Sequence, residues 1–515
     1  MPPLPRLLVF AACLLSLANL SLRADPVALR AHPLALESTE LPSPAIEHSL
    51  APQLATAPDS TVYLSWVQRV SETKLALRFS RLDLAQRRWS EARTIAQGEN
   101  WFVNWADTPQ LAAAGEGRLA AVWFVNNPPT GHEHGHHGSY HALVSFSHDD
   151  GATWSEPVRL SPESHYNEFV ALAPLPEGRW LAAWLDGRAK HQGGDAQQLY
   201  ARILGTHTPD ALVDDRVCDC CPTTLAAFPD GSVLLAYRDR SPEEVRDMRV
   251  ATFRDGRWSE SRPLNHDGWK IAACPVNGPV LQASGGRVAA AWFTAADNDA
   301  RVLASTSPDA GARFLLPARL DETKPVGRVD TVLLRDGSQW VSWLEQTGAV
   351  RLRRLAPSGE ASVAASFGGG EQNASRAGGI PRLALAKDYD AGPAQLVLAR
   401  TEAGEPSRVT THLITLPAAR DLAAKDCDCD PDAAEASRGH ALKGRIVGVL
   451  PERQSVLVKH EEIPGVMRAM TMEFKVAPEL LATLREGQEI LARMERRDDR
   501  KWWLFQVKRL GTAHP

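Results

Sequence analysis

The sequence contains no long run of charges of one sign. Its 57 Lys and Arg residues nearly balance its 62 Asp and Glu residues, which leaves a formal net charge of -5. Proteins that bind nucleic acid or anionic membranes concentrate positive charge in a patch or a tail, so we expect neither kind of partner. A chain of 515 residues, 44% of them hydrophobic, is long enough for two or more globular domains.

Long apolar runs are confined to the N terminus. Residues 1–24 place Arg6 before an apolar run from Leu7 to Leu22, which is followed by Ala24. This pattern predicts an export signal peptide and a periplasmic protein. Because no second run of spanning length follows, the mature chain is expected to have no transmembrane segment. Cys13 offers a lipoprotein alternative, which its depth in the apolar run disfavours.

A repeated unit runs through residues 50–416. Each copy has a leucine-bearing strand, a turn with Gly or Asp, and an apolar strand that ends at an aromatic residue. The aromatic positions are Trp66, Trp123, Trp184, Tyr237, Trp292 and Trp343, with Leu398 in a weaker seventh copy. Their spacing suits one four-stranded sheet per copy and predicts an all-β fold, a propeller with six or seven blades.

Two outer hairpins carry a sharper motif, "SHDDGATW" at Ser147–Trp154 and "SPDAGARF" at Ser307–Phe314. The Asp side chain can hold a tight turn, the Gly permits its backbone, and the aromatic residue packs beneath it. Both hairpins resemble the Asp-box, or BNR, repeat of sialidase-like propellers. The resemblance implies that residues 27–416 form such a propeller, but the motif stabilises a turn and does not specify chemistry.

The sequence has little of what an active sialidase of this family needs. The resemblance implies three arginines around a carboxylate, an Asp acid and a Tyr–Glu nucleophile pair in the later blades. The chain has only six tyrosines, and Tyr389 is the sole one after Tyr237. Acids and arginines that follow inner strands, in the segments "WLDGR", "YRDR" and "WLEQ", are expected to be structural. A sialidase-like exo-glycosidase with an appended metal-binding module is the alternative function.

Six cysteines follow the signal peptide. Cys218, Cys220 and Cys221 precede the fourth repeat and Cys274 precedes the fifth, so a propeller should bring them to one end of its channel. Asp107, Glu168 and Asp330 fall at similar offsets and should make that end acidic. In an exported protein disulfides are the first expectation, and a thiolate site for a soft metal such as Cu(I) is the alternative. Cys427 and Cys429, in a Cys/Asp-containing linker at 417–440, could pair with this cluster.

A histidine-rich segment, "TGHEHGHHGSYH", interrupts the second repeat. It contains His132, His134, His136, His137 and His141 in a Gly-rich setting, which predicts an exposed insertion loop. Such a loop can bind Cu(II), Zn or Ni weakly, because imidazole suits all three ions. A solvated loop with incidental histidines is the alternative.

Residues 441–512 change in composition and pattern. Five strand candidates, with a short helix at 478–484 between the third and the fourth, predict a small closed barrel of OB type. His460 ends the second strand, and Met470 and Met472 begin the third strand on one face. An imidazole and two thioethers form a soft, neutral ligand set that selects Cu(I) or Ag(I). Methionines that merely fill a small core are the alternative.

His460, Met470 and Met472 resemble the ligand set of CusF-type periplasmic copper- and silver-binding domains. In that family a Trp caps the metal from the position three residues before the first Met, where this chain has Met467. A fourth ligand, the thioether of Met467, is the expected replacement for the cap. A cap from Trp502 or Trp503 is the alternative. The resemblance implies copper, with silver as a second ion, and a periplasmic protein partner in copper handling.

Together these observations predict an exported copper-binding protein that acts in copper tolerance or trafficking, with the propeller as a docking or second-site platform. A further hypothesis makes the propeller an interaction scaffold whose partner binding is regulated by copper.

Overall fold

The computed structural model describes residues 31–32, 36–128, 139–389, 392–417, 440–461, 463, 467–496 and 501–509. Several predicted features lie outside these residues, namely the signal peptide, His132, His134, His136, His137, Cys427, Cys429 and most of the linker. Within the described ranges, no helix has the length and apolar character needed to cross a membrane.

Seven sheets, antiparallel except where Ala31–His32 joins blade 6, form the first domain. The strands of blade 1 are Ser49–Thr56, Val62–Arg69, Leu75–Asp83, Arg88–Trp89 and Arg93–Gly98. Those of blade 2 are Trp101–Phe102, Gln110–Gly115, Arg118–Asn126, Tyr140–Ser147 and Val158–Arg159. Blade 3 contains Asn167–Pro174, Trp180–Asp186, Gln197–Leu204 and Ala211–Val217. Blade 4 contains Thr224–Ala227, Val233–Arg238, Met248–Arg254, Arg257–Trp258 and Arg262–Pro263.

The later blades follow the same plan. Blade 5 contains Val280–Ser284, Arg287–Thr294, Arg301–Ser307 and Ala318–Arg319. Blade 6 contains Pro325–Leu333, Gln339–Glu345, Val350–Leu355, Ala361–Ser362 and Ala365–Phe367, joined by Ala31–His32. Blade 7 contains Arg382–Lys387, Gln395–Glu402, Arg408–Thr415 and the early strand Glu37–Leu41.

Helices are few and short. Among the described residues, the α-helices are Arg188–His191, Glu371–Ala374 and Pro478–Leu481. The 3-10 turns are Pro176–Gly178, Ala296–Asn298, Arg376–Gly378 and Pro451–Arg453.

The inner strand of every blade contacts the inner strands of both neighbours, so the seven sheets close into a ring. The prediction of a propeller is confirmed, and its blade number is seven rather than six. The weak seventh repeat is a complete blade because Leu398, which replaces the aromatic residue, is fully buried in its second strand.

Ring closure uses a strand from the start of the chain. Glu37–Leu41 pairs antiparallel with Arg408–Thr415, with Glu37 opposite Thr415 and Leu41 opposite Thr411. This pairing covers the outer edge of the last blade, which would otherwise expose unpaired backbone groups. Leu41 is the one buried side chain of the early strand. The repeat pattern did not reveal this strand, because its other four side chains are exposed.

The aromatic residues that mark the repeats are buried between blades, and several use an acid to satisfy the indole N–H. Trp184 Nε1 donates to Asp186 Oδ2 at 2.8 Å, and Trp343 Nε1 donates to Glu345 Oε1 at 2.8 Å. A buried indole N–H needs such an acceptor. The structural roles predicted for Asp186 and Glu345 are therefore confirmed.

The Ser147–Trp154 hairpin is held by its own side chains. Asp149 accepts hydrogen bonds from the Thr153 backbone N–H at 2.9 Å and from the Thr153 hydroxyl at 2.6 Å. The Gly151 N–H donates to Ser147 Oγ at 2.8 Å. The Ser307–Phe314 hairpin repeats this pattern, with the Arg313 N–H donating to Asp309 at 2.8 Å.

Gly151 also makes the contact between blades 1 and 2. Its φ of +74° lies in the left-handed region, and a Cβ at this position would lie 2.2 Å from Phe79 of blade 1. Gly311 approaches Leu234 of the preceding blade in the same way, at 2.4 Å. These hairpins therefore dock each blade on its neighbour as well as closing a turn.

The second domain is a closed barrel. Its strands are His440–Leu450, Ser455–His460, Met470–Lys475, Glu489–Arg496 and Trp502–Arg509. They pair in the order first, second, third, fifth and fourth, and the fourth pairs back with the first. The five-stranded barrel is as predicted, and the helix before the fourth strand ends at Leu481, earlier than expected.

We expect Gly151→Ala to destabilise the propeller more than Gly205→Ala. Both glycines have a φ of +74°, but nothing lies within 4 Å of a Cβ at Gly205. The backbone strain, about 1 kcal/mol, is common to both variants. Overpacking against Phe79 should add about 1–3 kcal/mol for Gly151→Ala alone. Denaturant unfolding of both variants measures the difference, and equal losses would contradict the docking role of Gly151.

Candidate metal centre

His460 lies at the rim of the barrel with its side chain turned inward. It ends the second barrel strand and is 3% exposed, whereas its neighbour Lys459 is exposed. Val456 and Val458 precede it on the same face and are fully buried. This alternation, which the sequence predicts for a strand, carries the imidazole to the end of the barrel core.

The hydrogen bonding of His460 leaves one ring nitrogen available. Nδ1 lies 2.7 Å from the carbonyl oxygen of Glu461, and a carbonyl can only accept, so Nδ1 carries the proton and donates it. Nε2 is buried and has no hydrogen-bond partner among the described residues. A neutral imidazole with Nδ1–H held by a carbonyl and a free Nε2 lone pair is the form in which histidine binds metals.

The register of the second and third strands brings the methionines to this imidazole. Met470 is directly opposite His460, and Met472 is opposite Val458. Residues directly opposite in an antiparallel pair have Cβ atoms about 5 Å apart on the same face. Met472 packs against the barrel core, while Met470 is 51% exposed. The three donors therefore lie on one face, running from the core to the solvent.

Met467 approaches the same face from the connecting segment. Its N–H donates to the Ile463 carbonyl at 3.1 Å, and its carbonyl accepts from the Ile463 N–H at 2.9 Å. The side chain is partly buried against the same core cluster as Met472.

The two tryptophans of the last strand lie at the other end of the third strand. Trp503 pairs with Lys475, five residues beyond Met470, which corresponds to about 17 Å along a strand. Trp502 lies beside it. The register therefore provides no support for a tryptophan cap over His460 and Met470.

The donor atoms of His460, Met470 and Met472 suit a soft monovalent ion. A buried, unpartnered imidazole nitrogen belongs to a residue that pairs directly with Met470, and Met472 lies two residues further along the same strand. Thioethers bind Cu(I) and Ag(I) but offer little to Zn²⁺ or Mg²⁺, which prefer charged or harder donors.

Comparison with protein families matches both domains. Residues 439–509 match the model described as copper binding periplasmic protein CusF, and residues 67–277 match the BNR repeat-like domain. The chain combines a sialidase-like BNR propeller with a C-terminal CusF-like domain. The resemblance stated from the sequence is thereby confirmed for both parts.

The similarity to individual solved structures is low. The Hadza microbial sialidase Hz136 is 15% identical with a TM-score of 0.38, and the match covers 57% of this chain and 63% of that chain. A protein of unknown function from Dyadobacter fermentans is 12% identical with a TM-score of 0.43, covering 74% and 98%. The lectin BP39L from Burkholderia pseudomallei is 10% identical with a TM-score of 0.44, covering 72% and 96%. Similarities at this level carry no argument about activity. None of the curated proteins matches the sequence.

The structure brings the predicted cysteines of the BNR propeller together. The Cys218 sulfur lies 3.6 Å from that of Cys221 and 4.0 Å from that of Cys220. Cys274 comes from the junction between blades 4 and 5, and Cys220 lowers the pKa of its thiol. All four are free thiols.

Positive charge surrounds the innermost thiol. Arg246 Nη1 donates to the Cys218 sulfur at 3.3 Å. Hydrogen bonds from Cys220 and Cys221 hold the pKa of Cys218 far below its usual range, and the charges of Arg238 and Arg246 lower it further. Cys218 is therefore the thiol of this cluster that is most readily ionised.

His141 does not lie in the predicted insertion loop. It belongs to the strand Tyr140–Ser147, is 9% exposed, and its Nδ1 lies 2.7 Å from Asn127 Oδ1. Burial, together with the charge of Arg159, lowers its pKa to about 4. The inclusion of His141 among the loop ligands was wrong, because the strand fixes its side chain within the blade.

A central cavity of about 310 Å³ runs between the inner strands, and all seven blades contribute to its lining. Asp107, Asp330 and Arg382 lie at its wall. Arg382 is the one arginine among the described residues that line the cavity, and no tyrosine is among them. This lining differs from the carboxylate grip of three arginines that the sialidase resemblance implies.

The end of the channel that carries Asp107 is less acidic than the sequence predicts. Asp107 is 1% exposed and accepts a hydrogen bond from the Tyr140 hydroxyl at 2.6 Å. Burial, together with the negative charge of Glu168, raises the pKa of Asp107 to about 8. Asp107 is therefore largely protonated at neutral pH, because desolvation penalises the carboxylate.

We expect Asp107→Asn to stabilise the protein relative to wild type more at pH 8 than at pH 5. The folded protein holds the Asp107 proton up to about pH 8, whereas the unfolded chain releases it near its ordinary value of 3.8. Wild-type stability should therefore fall as pH rises between these values, and the amide variant avoids this loss. Thermal melting at the two pH values measures the difference.

Asp149→Asn is the matched control for this pH dependence. Hydrogen bonds from Thr153 and Ser147 lower the pKa of Asp149 to about 2. The contribution of Asp149 to folding stability is therefore fully present above its ordinary pKa of 3.8 and is lost only as the pH falls toward 2. Its difference in Tm from wild type should be the same at pH 5 and pH 8. A difference for Asp107→Asn that does not change with pH would contradict the raised pKa.

Proposed function

We propose that the protein is an exported Cu(I)-binding protein that acts in periplasmic copper tolerance or trafficking, with Ag(I) as a second ion. The observation that carries this proposal is the buried, unpartnered Nε2 of His460, on the residue that pairs directly with Met470 of the third barrel strand. The match of residues 439–509 to the CusF family supports the same conclusion.

Each side chain has a distinct role in this site. His460 Nε2 donates from the buried side, and the Glu461 carbonyl keeps the imidazole in the tautomer that can donate. Met472 supplies a thioether from the core, and Met470 supplies one from the solvent side. Met467 is positioned to add a third thioether in place of the tryptophan cap of the family.

The exposed position of Met470 suits an ion that is passed on. An ion bound at the rim of a barrel can be reached by a second protein without unfolding the site. Neutral donors also bind a monovalent ion without the proton release that thiolates require. These properties support trafficking or tolerance rather than a permanent structural role for the metal.

The mature protein is proposed to consist of residues 27–416 as a propeller, a linker at 417–440 and a copper-binding barrel at 441–512. A periplasmic location is supported by the signal-like sequence of residues 1–24 and by the match to the CusF family model, which is described as periplasmic. The propeller is proposed to serve as the docking surface for a copper-handling protein partner.

The alternative, a sialidase-like exo-glycosidase, has less support. The central cavity has one arginine among its described lining residues, where binding of a sugar carboxylate in that family uses three. Asp186 and Glu345 accept hydrogen bonds from buried tryptophans, so both acids already have structural partners.

The double variant Met470→Ile with Met472→Ile should bind Cu(I) at least about 100-fold more weakly, a loss of about 2.7 kcal/mol. Isoleucine retains the apolar volume but removes both sulfur donors. Competition titration of the full chain against a chromophoric Cu(I) chelator measures the affinity. An unchanged affinity would exclude the two methionines as ligands.

Met494→Ile provides the matched control in the same domain. Met494 is fully buried in the barrel core and lies on the fourth strand, away from His460, so its loss should lower stability but leave Cu(I) affinity unchanged. In a deletion strain, wild type should restore growth in copper and the double variant should not. Turnover of a sialoside reporter by the purified protein would instead support the glycosidase.

Met467→Ile should lower Cu(I) affinity by about 10-fold, less than the double variant, because it removes one donor of the set. The side chain is only partly buried, so the fold should tolerate the change. X-ray absorption of the Cu(I)-loaded full chain should show one sulfur fewer around the metal than in wild type. Identical spectra and affinities would assign Met467 to packing alone.

A further inference from the structure

The thiols at the junctions of blades 3, 4 and 5 form a compact donor cluster outside the barrel. Their sulfur atoms are not bonded to one another, since 3.6 and 4.0 Å far exceed the length of a disulfide, about 2.05 Å. The Sγ atoms of Cys218, Cys220 and Cys221 all lie within 4.8 Å of one another. Metal–thiolate bonds of about 2.3 Å place neighbouring sulfurs about 3.8 Å apart, so this triangle already has the dimensions of a metal site.

The two segments that carry the thiols are held rigidly together. Cys218–Cys221 lies between the last strand of blade 3 and the first of blade 4, and Cys274 lies in the connection from blade 4 to blade 5. Gly278 packs so closely on Pro222 that a Cβ would lie 2.0 Å from the Pro222 carbonyl oxygen. The buried Arg238 guanidinium also donates to the Asn277 carbonyl at 2.7 Å. The cluster is therefore preorganised by the ring of blades.

A guanidinium lies against the cluster. Arg246 donates to the Cys218 sulfur at 3.3 Å, while its Nη2 pairs with Glu244 at 2.7 Å. Positive groups so close to the sulfurs would repel a divalent ion more than a monovalent one.

We propose that Cys218, Cys220 and Cys221, together with Cys274, form a second Cu(I) site in the propeller. Thiolates are soft donors that suit Cu(I), and the sulfurs of Cys218, Cys220 and Cys221, which lie within 4.8 Å of one another, can complete its coordination as three ligands. Cys218 and Cys221 are buried, while Cys220 is partly exposed and Cys274 is exposed. The ion is held from the inside and can enter and leave past the outer two thiols. This site uses none of the barrel residues and does not depend on the proposed barrel site.

The test is a Cu(I) titration of the reduced full chain under anaerobic conditions. Wild type should bind about two ions per chain, with a near-ultraviolet thiolate-to-Cu(I) charge-transfer band that Met and His ligands do not give. Cys220→Ser with Cys274→Ser should lose one ion and the band. These two positions are chosen because changes at the buried Cys218 and Cys221 endanger folding, and circular dichroism checks that the variant is folded.

Two further variants separate the sites. Met470→Ile with Met472→Ile should lose the other ion and keep the band, so failure of the barrel site and failure of this site give different results. Cys427→Ser with Cys429→Ser is the matched control and should keep both ions and the band. Three results would overturn the proposal: a band that survives Cys220→Ser with Cys274→Ser, a band that disappears in the control, or Zn²⁺ that excess Cu(I) does not displace.

Discussion

The pairing of Glu37–Leu41 with Arg408–Thr415 is the constraint on which the propeller depends. It joins the beginning of the domain to the outer strand of its last blade, so that the last blade cannot separate from the first without breaking this pairing. Once the ring is closed, the connections between blades are fixed at the ends of the channel. The cysteine cluster, whose members come from two such connections, therefore depends on a strand pair distant from it in the sequence.

Packing between blades relies on large buried side chains and also on hydrogen bonds that recur from blade to blade. Buried tryptophans such as Trp184 and Trp343 fill the space between sheets, and their N–H groups are satisfied by acids two residues later. From the sequence alone, Asp186 and Glu345 resemble catalytic acids. Their buried hydrogen bonds give Asp186 and Glu345 a structural role in the blades.

The two candidate copper sites follow different chemical strategies. The barrel offers neutral thioethers and one imidazole at an exposed rim, which suits exchange of a monovalent ion. The propeller offers thiolates beside Arg246, which suits tighter retention. A protein that carries both would combine a site that holds Cu(I) with one that passes it on. The rigid blades and the small barrel are separate cores, so each site is built on its own scaffold.

Much of the fold followed from local pattern. Repeats that end in an aromatic residue predicted the blades, and alternation along the third barrel strand placed Met470 and Met472 on one face, with His460 at the end of the second strand. The closing strand at Glu37 was not predicted, because four of its five side chains are exposed and carry no apolar signal. His141 was assigned to a loop because Gly-rich sequence surrounds the neighbouring histidines, whereas pairing with the adjacent strand decides its position.

The sequence by itself determined the order of the domains, the repeat, and the identity of the soft donors, since these depend on residue types and short spacings. Tertiary structure alone decided how those donors are presented. Only the fold shows that Nδ1 of His460 is held by a carbonyl while Nε2 is left without a partner, that Cys218 and Cys274 share one cluster, and that Asp107 is protonated. Burial and contacts between distant segments set these properties, and short sequence patterns predict neither of them.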